Sequence, residues 1–204
     1  MFLGAKAIKK AINKGDIVID PFQESCLQTN SYDLHLGKYY IRMKYHPYVV
    51  KLEENSNTLL KELYSDIITV PDNGLIVIWP GEFILAQTQE YFGTEKKYAV
   101  LLRARSTFAR LGIDICSSAG LGDIGFVSYW TLEIVNHSQN QIALEPGFRI
   151  AQACFIEVKD CNSKMQYRGS YLDNRRLNIK VPPQKLDSLY QAKMLPNLNR
   201  ERLV

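Results

Sequence analysis

The chain has few of the residues from which disulfide frameworks and metal centres are built: 204 residues contain four cysteines and three histidines. Cys26, Cys116, Cys154 and Cys161 form no C-x-x-C pair, and no signal-peptide pattern precedes them. The expected setting is therefore reducing and cytoplasmic. Cys116 and Cys154 fall in apolar runs and read as small core residues rather than nucleophiles. The histidines, His35, His46 and His137, are isolated from one another in sequence. No apolar run has the length of a membrane span, so no membrane partner is expected. A net charge of +4 without a dense Lys/Arg block, a heptad or a finger pattern argues against a nucleic-acid partner and leaves room for a small anionic ligand. No internal repeat is present.

What the chain does have is apolar content, at 46%, enough for one domain spanning residues 1–204 with a real core. Ala5 to Lys14 carries Ile8, Ala11 and Ile12 at helical spacing and stops at Gly15, which predicts a single N-terminal helix. Beyond it the period changes. Short β-type runs are predicted at Ile17–Ile19, Leu34–Leu36, Ile67–Val70, Leu75–Trp79, Phe83–Thr88, Tyr98–Leu102, Val127–Val135, Ile142–Leu144 and Ile150–Val158. Turn signals punctuate them at Asp72-Asn73-Gly74, Pro80-Gly81 and Pro146-Gly147. Many short strands and few helices predict a closed or sandwiched all-β fold. The polar stretch from His46 to Ser65 reads as an insertion or long loop. Apolar periodicity fades from about residue 160, which predicts a mobile C-terminal tail able to close over a site.

The densest chemistry lies between Arg105 and Glu133. Arg105, Ser106 and Arg110 fall on a short segment with a capping residue at one end and Gly112 at the other, the signature of one or two helical turns. Ser106 and Arg110, four apart, share a face there, and two arginines beside free backbone N–H groups suit phosphate; a serine cap with solvated arginines is the plainer alternative. Downstream, Glu133 stands in an apolar strand where alternation places it opposite Leu132 and Ile134. An exposed glutamate on an amphipathic strand would look the same. The segment from Ser117 to Gly125, rich in Ser, Gly and Ala with Asp123 its only charge, is built for close approach of backbone to a ligand.

The segments RSTFARLG, SSAGLGDIGF, TLEIVN and PGFRIAQ, with SYDLHLG and PGEFILAQTQE upstream, resemble the dCTP deaminase branch of the dUTPase-like superfamily. The motifs run in order over roughly Ala5 to Tyr171. The resemblance implies a distorted β-barrel of jelly-roll type with a short N-terminal helix and few other short helices, assembled as a homotrimer with active sites between subunits. It implies hydrolytic deamination of dCTP to dUTP and ammonia, supplying pyrimidine deoxynucleotide metabolism. A bifunctional variant releasing dUMP and diphosphate stays open because Ser-Ala-Gly precedes the aspartate segment where several single-activity relatives have Ala-His. A silent nucleotide-binding trimer is the third reading.

Deamination needs water to attack C4 of cytosine, a proton to reach N3 and ammonia to leave, hence one group that shuttles protons. The H-x-E and P-C-x-x-C pattern that holds zinc in most nucleobase deaminases is missing, so a carboxylate base without zinc is expected. By resemblance Glu133 is that base, Ser106 and the Ala119 carbonyl hold the water, and Arg110 orients the glutamate. Burial would raise the carboxyl's pKa and the arginine would lower it again. Arg105, Ser106 and Thr107 would take phosphate oxygens, Asp123 the deoxyribose 3′-hydroxyl, and Tyr167 the nucleotide from the tail. Mg²⁺ would arrive on the triphosphate, with no dedicated protein metal site. Three positions depart from the family pattern: Gly122 where a bulky residue is usual, Ile124 for proline or alanine, and Ser128 for glycine. In the tail, Ser170 replaces a glutamine. Arg149 and Gln152 of PGFRIAQ read as structural, and Asp33 as a turn cap as easily as a site residue.

Overall fold

A computed structural model describes residues 1–51, 62–161 and 167. The predicted helix is present as α1 (Ala5–Asn13), which buries Ile8 and Ala11, three positions apart, against the sheet. Eleven strands follow in chain order. They are β1 (Ile17–Asp20), β2 (Tyr32–Arg42), β3 (Ile68–Thr69), β4 (Ile76–Ile78), β5 (Phe83–Thr94), β6 (Tyr98–Ala104), β7 (Ile113–Asp114), β8 (Leu121–Gly122), β9 (Val127–Asn136), β10 (Ile142–Leu144) and β11 (Arg149–Glu157). A five-residue helix, α2 (Ser106–Arg110), lies between β6 and β7. Among the described residues no helix is long and apolar enough to cross a membrane.

Nine strands form one antiparallel sheet whose main path runs β7-β9-β5-β2-β11-β6-β8, with β1 and β3 added on β5 and β2. The sheet curls into a half-barrel, and the all-β fold is the expected one. Register shifts in the β2–β5 and β5–β9 pairings mark bulges or irregularities of the kind that bend long strands. Inside the curl sit Leu34 and Leu36 of β2, Ile84 and Phe92 of β5, Leu132 and Ile134 of β9, and Ile150 and Phe155 of β11, all fully buried. Each such side chain stabilises the fold by about 1.5–3 kcal/mol on leaving water.

The sequence reading missed β7 and β8, which are two residues long each and carry no period to detect. It also placed a long loop from His46 to Ser65. Residues 52–61 lie outside the described residues, but the end of that stretch packs: Leu63 and Tyr64 are buried with Ile41 and Leu85 in a second, smaller cluster. His35, isolated in sequence, is paired in space, its ring Nδ1 meeting Glu90 Oε1 and its backbone N–H donating to Glu90 Oε2 at 2.9 Å. The tail expected to be mobile from about residue 160 lies outside the described residues except at its first positions and at Tyr167.

Candidate active site

Along β9 exposure alternates: Leu132 and Ile134 are buried at 0%, while Thr131, Glu133 and Val135 are half-buried on the other face. The alternation read from the sequence is therefore the one adopted. Glu133 opposes Leu85 of β5 and forms a bridge with Cys116 on its other side, so its backbone is fixed from two directions.

Its side chain lines a cavity of about 480 Å³, bounded also by Ala119, Gly122, Asp123, Phe126, Thr131 and Tyr167. Burial pushes the Glu133 carboxyl above its usual range, and the negative charge of Asp114 adds to the rise. Among the described residues of the chain no cation counters the two effects. The arginine expected to lower it, Arg110, is exposed on α2 and is not part of the lining.

The predicted site residues thus divide into two groups. Glu133, Ala119, Asp123 and Tyr167 meet in the cavity. Ala119 is set by a turn in which its N–H donates to the Cys116 carbonyl at 2.8 Å, and Tyr167 is tied by its N–H to the Ile124 carbonyl at 2.8 Å. Ser106, Thr107 and Arg110 stand exposed on α2, away from that lining. Ser106 is not the cap: Arg105 is the N-cap residue, and no side chain caps the helix. Gly112 does end the segment, at φ 80°, the left-handed conformation glycine adopts freely.

Arg105 is held from behind. Its Nε lies 3.5 Å from Asp33 Oδ2, and Arg149 Nη1 lies 3.6 Å from the same oxygen. Burial raises the Asp33 carboxyl, and the two guanidiniums pull it back toward ionisation. Asp33, read as a turn cap as easily as a site residue, and Arg149, read as structural, therefore position a predicted phosphate ligand. One carboxylate against two guanidiniums leaves net positive charge at this end of α2.

Gly122 and Trp130 explain a departure from the family pattern. A Cβ on Gly122 would stand 2.1 Å from the Trp130 ring, so the bulky residue usual there has no space. Trp130 fills that volume: it stacks on Phe92 with centroids 4.8 Å apart, and its Nε1 donates to the Phe92 carbonyl at 3.0 Å. Phe126 meets the Trp130 ring edge-on at 5.1 Å and the Tyr167 ring at 5.0 Å, extending an aromatic wall to the mouth.

Tyr64 and Asp114 were missed. Tyr64 is 5% exposed, lines the cavity, and has its phenol pushed up by burial and by the Glu133 charge. Neither residue sits in a pattern that marks it, since Tyr64 ends a polar stretch and Asp114 lies on a two-residue strand.

A family model described as dCTP deaminase-like matches residues 2–158. A protein of Hathewaya histolytica named "dCTP deaminase, dUMP-forming" is 36% identical over 174 residues, covering 85% of this chain and 92% of that one. One of the same name from Nanoarchaeum equitans (strain Kin4-M) is 33% identical over 181 residues, covering 83% and 90%. Among solved structures, the 2′-deoxycytidine 5′-triphosphate deaminase of Agrobacterium tumefaciens aligns with a TM-score of 0.56 at 18% identity, over 76% of this chain and 47% of that one. That last likeness bears on the fold.

Proposed function

The chain belongs to the dCTP deaminase-like family, and from that premise we propose that it hydrolyses the C4 amine of dCTP, with Glu133 as the proton shuttle. The observation that carries the reading is the half-buried Glu133 carboxyl, raised above its ordinary range on the wall of a nucleotide-sized cavity. A carboxyl so placed takes one proton from the attacking water and delivers it to N3, then takes the second from the C4 hydroxyl so formed and delivers it to the amine, which leaves as ammonia while N3 keeps its hydrogen. The Ala119 carbonyl and the Ser106 hydroxyl hold the water. Asp123 accepts from the 3′-hydroxyl, and Tyr167 packs over the nucleotide.

Ser106, Thr107, Arg105 and Arg110 complete this set only when α2 reaches a cavity, and in one chain it does not. A homotrimer with sites between subunits brings α2 of one copy to the cavity of the next. There Arg110 faces Glu133, while Arg105, Ser106 and Thr107 take the phosphates. Mg²⁺ fits as a passenger on the triphosphate, where it would neutralise phosphate charge, since among the described residues no group of three or more His, Cys, Asp or Glu could hold it. No zinc is required.

Two products compete. The sequence favoured dUTP, with dUMP and diphosphate second. The names of the relatives, at 33% and 36% identity over most of the chain, now weigh toward dUMP. We therefore put dUMP formation first. Incubation with dCTP and Mg²⁺, separating dUTP, dUMP and diphosphate by chromatography and assaying ammonia, tests it. Ammonia with dUMP and diphosphate is the expected result; accumulation of dUTP alone restores the simpler enzyme, and absence of every product at high protein concentration removes both.

A further inference from the structure

We propose that Asp114 is the tuning residue of this site: its carboxylate shares a sheet face with Glu133 and decides over which pH range Glu133 takes up and returns a proton. The inference rests on Glu133 being the proton shuttle. Its basis is the register of β7 against β9. Asp114 is paired with Val135 and Ile113 with Asn136. Side chains alternate along a strand, so Asp114, Val135 and Glu133 project to one side while Ile113, Ile134 and Asn136 project into the core. The burial pattern agrees, with the first three half-buried and the last three fully buried. Asp114 and Glu133 are therefore diagonal cross-strand neighbours, about 7 Å apart at this spacing.

The Asp114 carboxylate is fixed in place. Its Oδ1 accepts from the N–H of Ile115 at 2.7 Å and of Cys116 at 3.3 Å, an Asx-type turn. The turn carries the chain straight into Cys116, whose backbone bridges to Glu133. The cationic groups around the pair lie to either side of it: Asp114 also lines a second cavity with Arg103 and His137, and the proposed trimer brings Arg110 of the next copy to Glu133. Facing Glu133 are Asp114 and Cys116 from the β7 side, Tyr64 from the segment before β3, and Asp123, Tyr129 and Tyr167 around the cavity. Arg103 of β6 acts on the Cys116 thiol and is not among the groups that move Glu133. Two like charges sharing a half-buried face disfavour double ionisation, so the Asp114 charge adds to burial in holding the proton on Glu133.

The test is the pH profile of kcat/KM with dCTP and Mg²⁺ for the intact protein and for Asp114→Asn, each read relative to its own plateau. Asparagine retains an oxygen for the Ile115 and Cys116 N–H groups and loses only the charge. The acid limb, set by ionisation of the free enzyme's base, should move to lower pH, so that relative activity at a fixed acidic pH rises roughly twofold or more. Superimposed profiles overturn the proposal. Glu133→Gln, run alongside, separates the two ideas: if it retains turnover, the shuttle assignment falls; if it is inactive and the profiles still coincide, only the Asp114 role falls. Should Asp114→Asn not fold, carbon-13 carboxyl NMR titration of the unaltered protein decides. The Glu133 resonance should show a second inflection as Asp114 titrates, and a single unperturbed step would overturn the role.

Discussion

At Glu133 chemistry and stability pull in opposite directions. Its carboxyl is raised by burial and by Asp114, so folding favours the protonated form. The sign follows: the favourable contribution is complete below the unfolded carboxyl value and is lost as pH rises through the folded one. Glu133→Gln, which removes the ionisation and keeps the shape, should therefore raise the melting temperature more at pH 8 than at pH 4, measured by scanning calorimetry. The same variant should lower ammonia release by at least about a hundredfold while leaving nucleotide affinity close to that of the intact protein by titration calorimetry. A variant with equal melting shifts at both pH values would remove the burial argument. For Arg105, the buried Asp33 behind it predicts two effects of Arg105→Ala at once. KM for dCTP rises about tenfold through a lost charge-assisted phosphate contact, and stability falls because the buried Asp33 loses one of its two guanidinium partners, keeping Arg149 and the Gln28 amide. An unchanged KM would count against the phosphate role.

The elements carry a different kind of coupling. β8 and β9 approach so closely that Gly122 and Trp130 share one volume. Gly122→Ala should cost about 1–3 kcal/mol by overpacking, and Trp130→Ala about 3–5 kcal/mol by the cavity it leaves. Made together the two should cost less than their sum, since the added methyl occupies part of the space the indole vacates. Urea denaturation of the four proteins in the cycle measures this, and strict additivity would show that the ring does not fill the space a side chain at 122 would take. On β9 itself, the site and the core are two faces of one strand. Leu132 and Ile134 anchor the strand that aims Glu133, so truncating Ile134 should lower stability by about 2–5 kcal/mol and displace the carboxyl with it.

For the whole molecule, the main structural fact is that no residue of α2 lines the cavity that holds Glu133. If the site is shared between copies, Glu133→Gln and Ser106→Ala chains, each inactive alone, should regain part of the activity when refolded together, because some mixed interfaces then pair an intact α2 with an intact Glu133. Failure of mixing to restore any turnover, in material that sizes as an oligomer by light scattering, would place the whole site within one chain. Leu75, Trp79 and Leu121 are all more than half exposed, and such apolar surface favours a partner surface of this kind.

The sequence by itself determined the all-β class, the N-terminal helix and the place of Glu133, because each is written in a local period: three and four along α1, two along β9. Gly112 was legible for the same reason, as a stop signal next to its helix. The family resemblance added roles, and the model match over residues 2–158 bore out the family. What the sequence could not give were relations between distant segments. Asp33 holding Arg105 together with Arg149 joins β2, the start of α2 and β11. Tyr64 reaches the cavity from the end of a polar stretch, and Asp114 faces Glu133 only because a two-residue strand pairs in one register rather than the next. A slip of one residue would have turned Asp114 away, and no local pattern records which register the packed sheet adopts. Local spacing chose which residues could carry chemistry; the fold of the sheet decided which charges stand beside them.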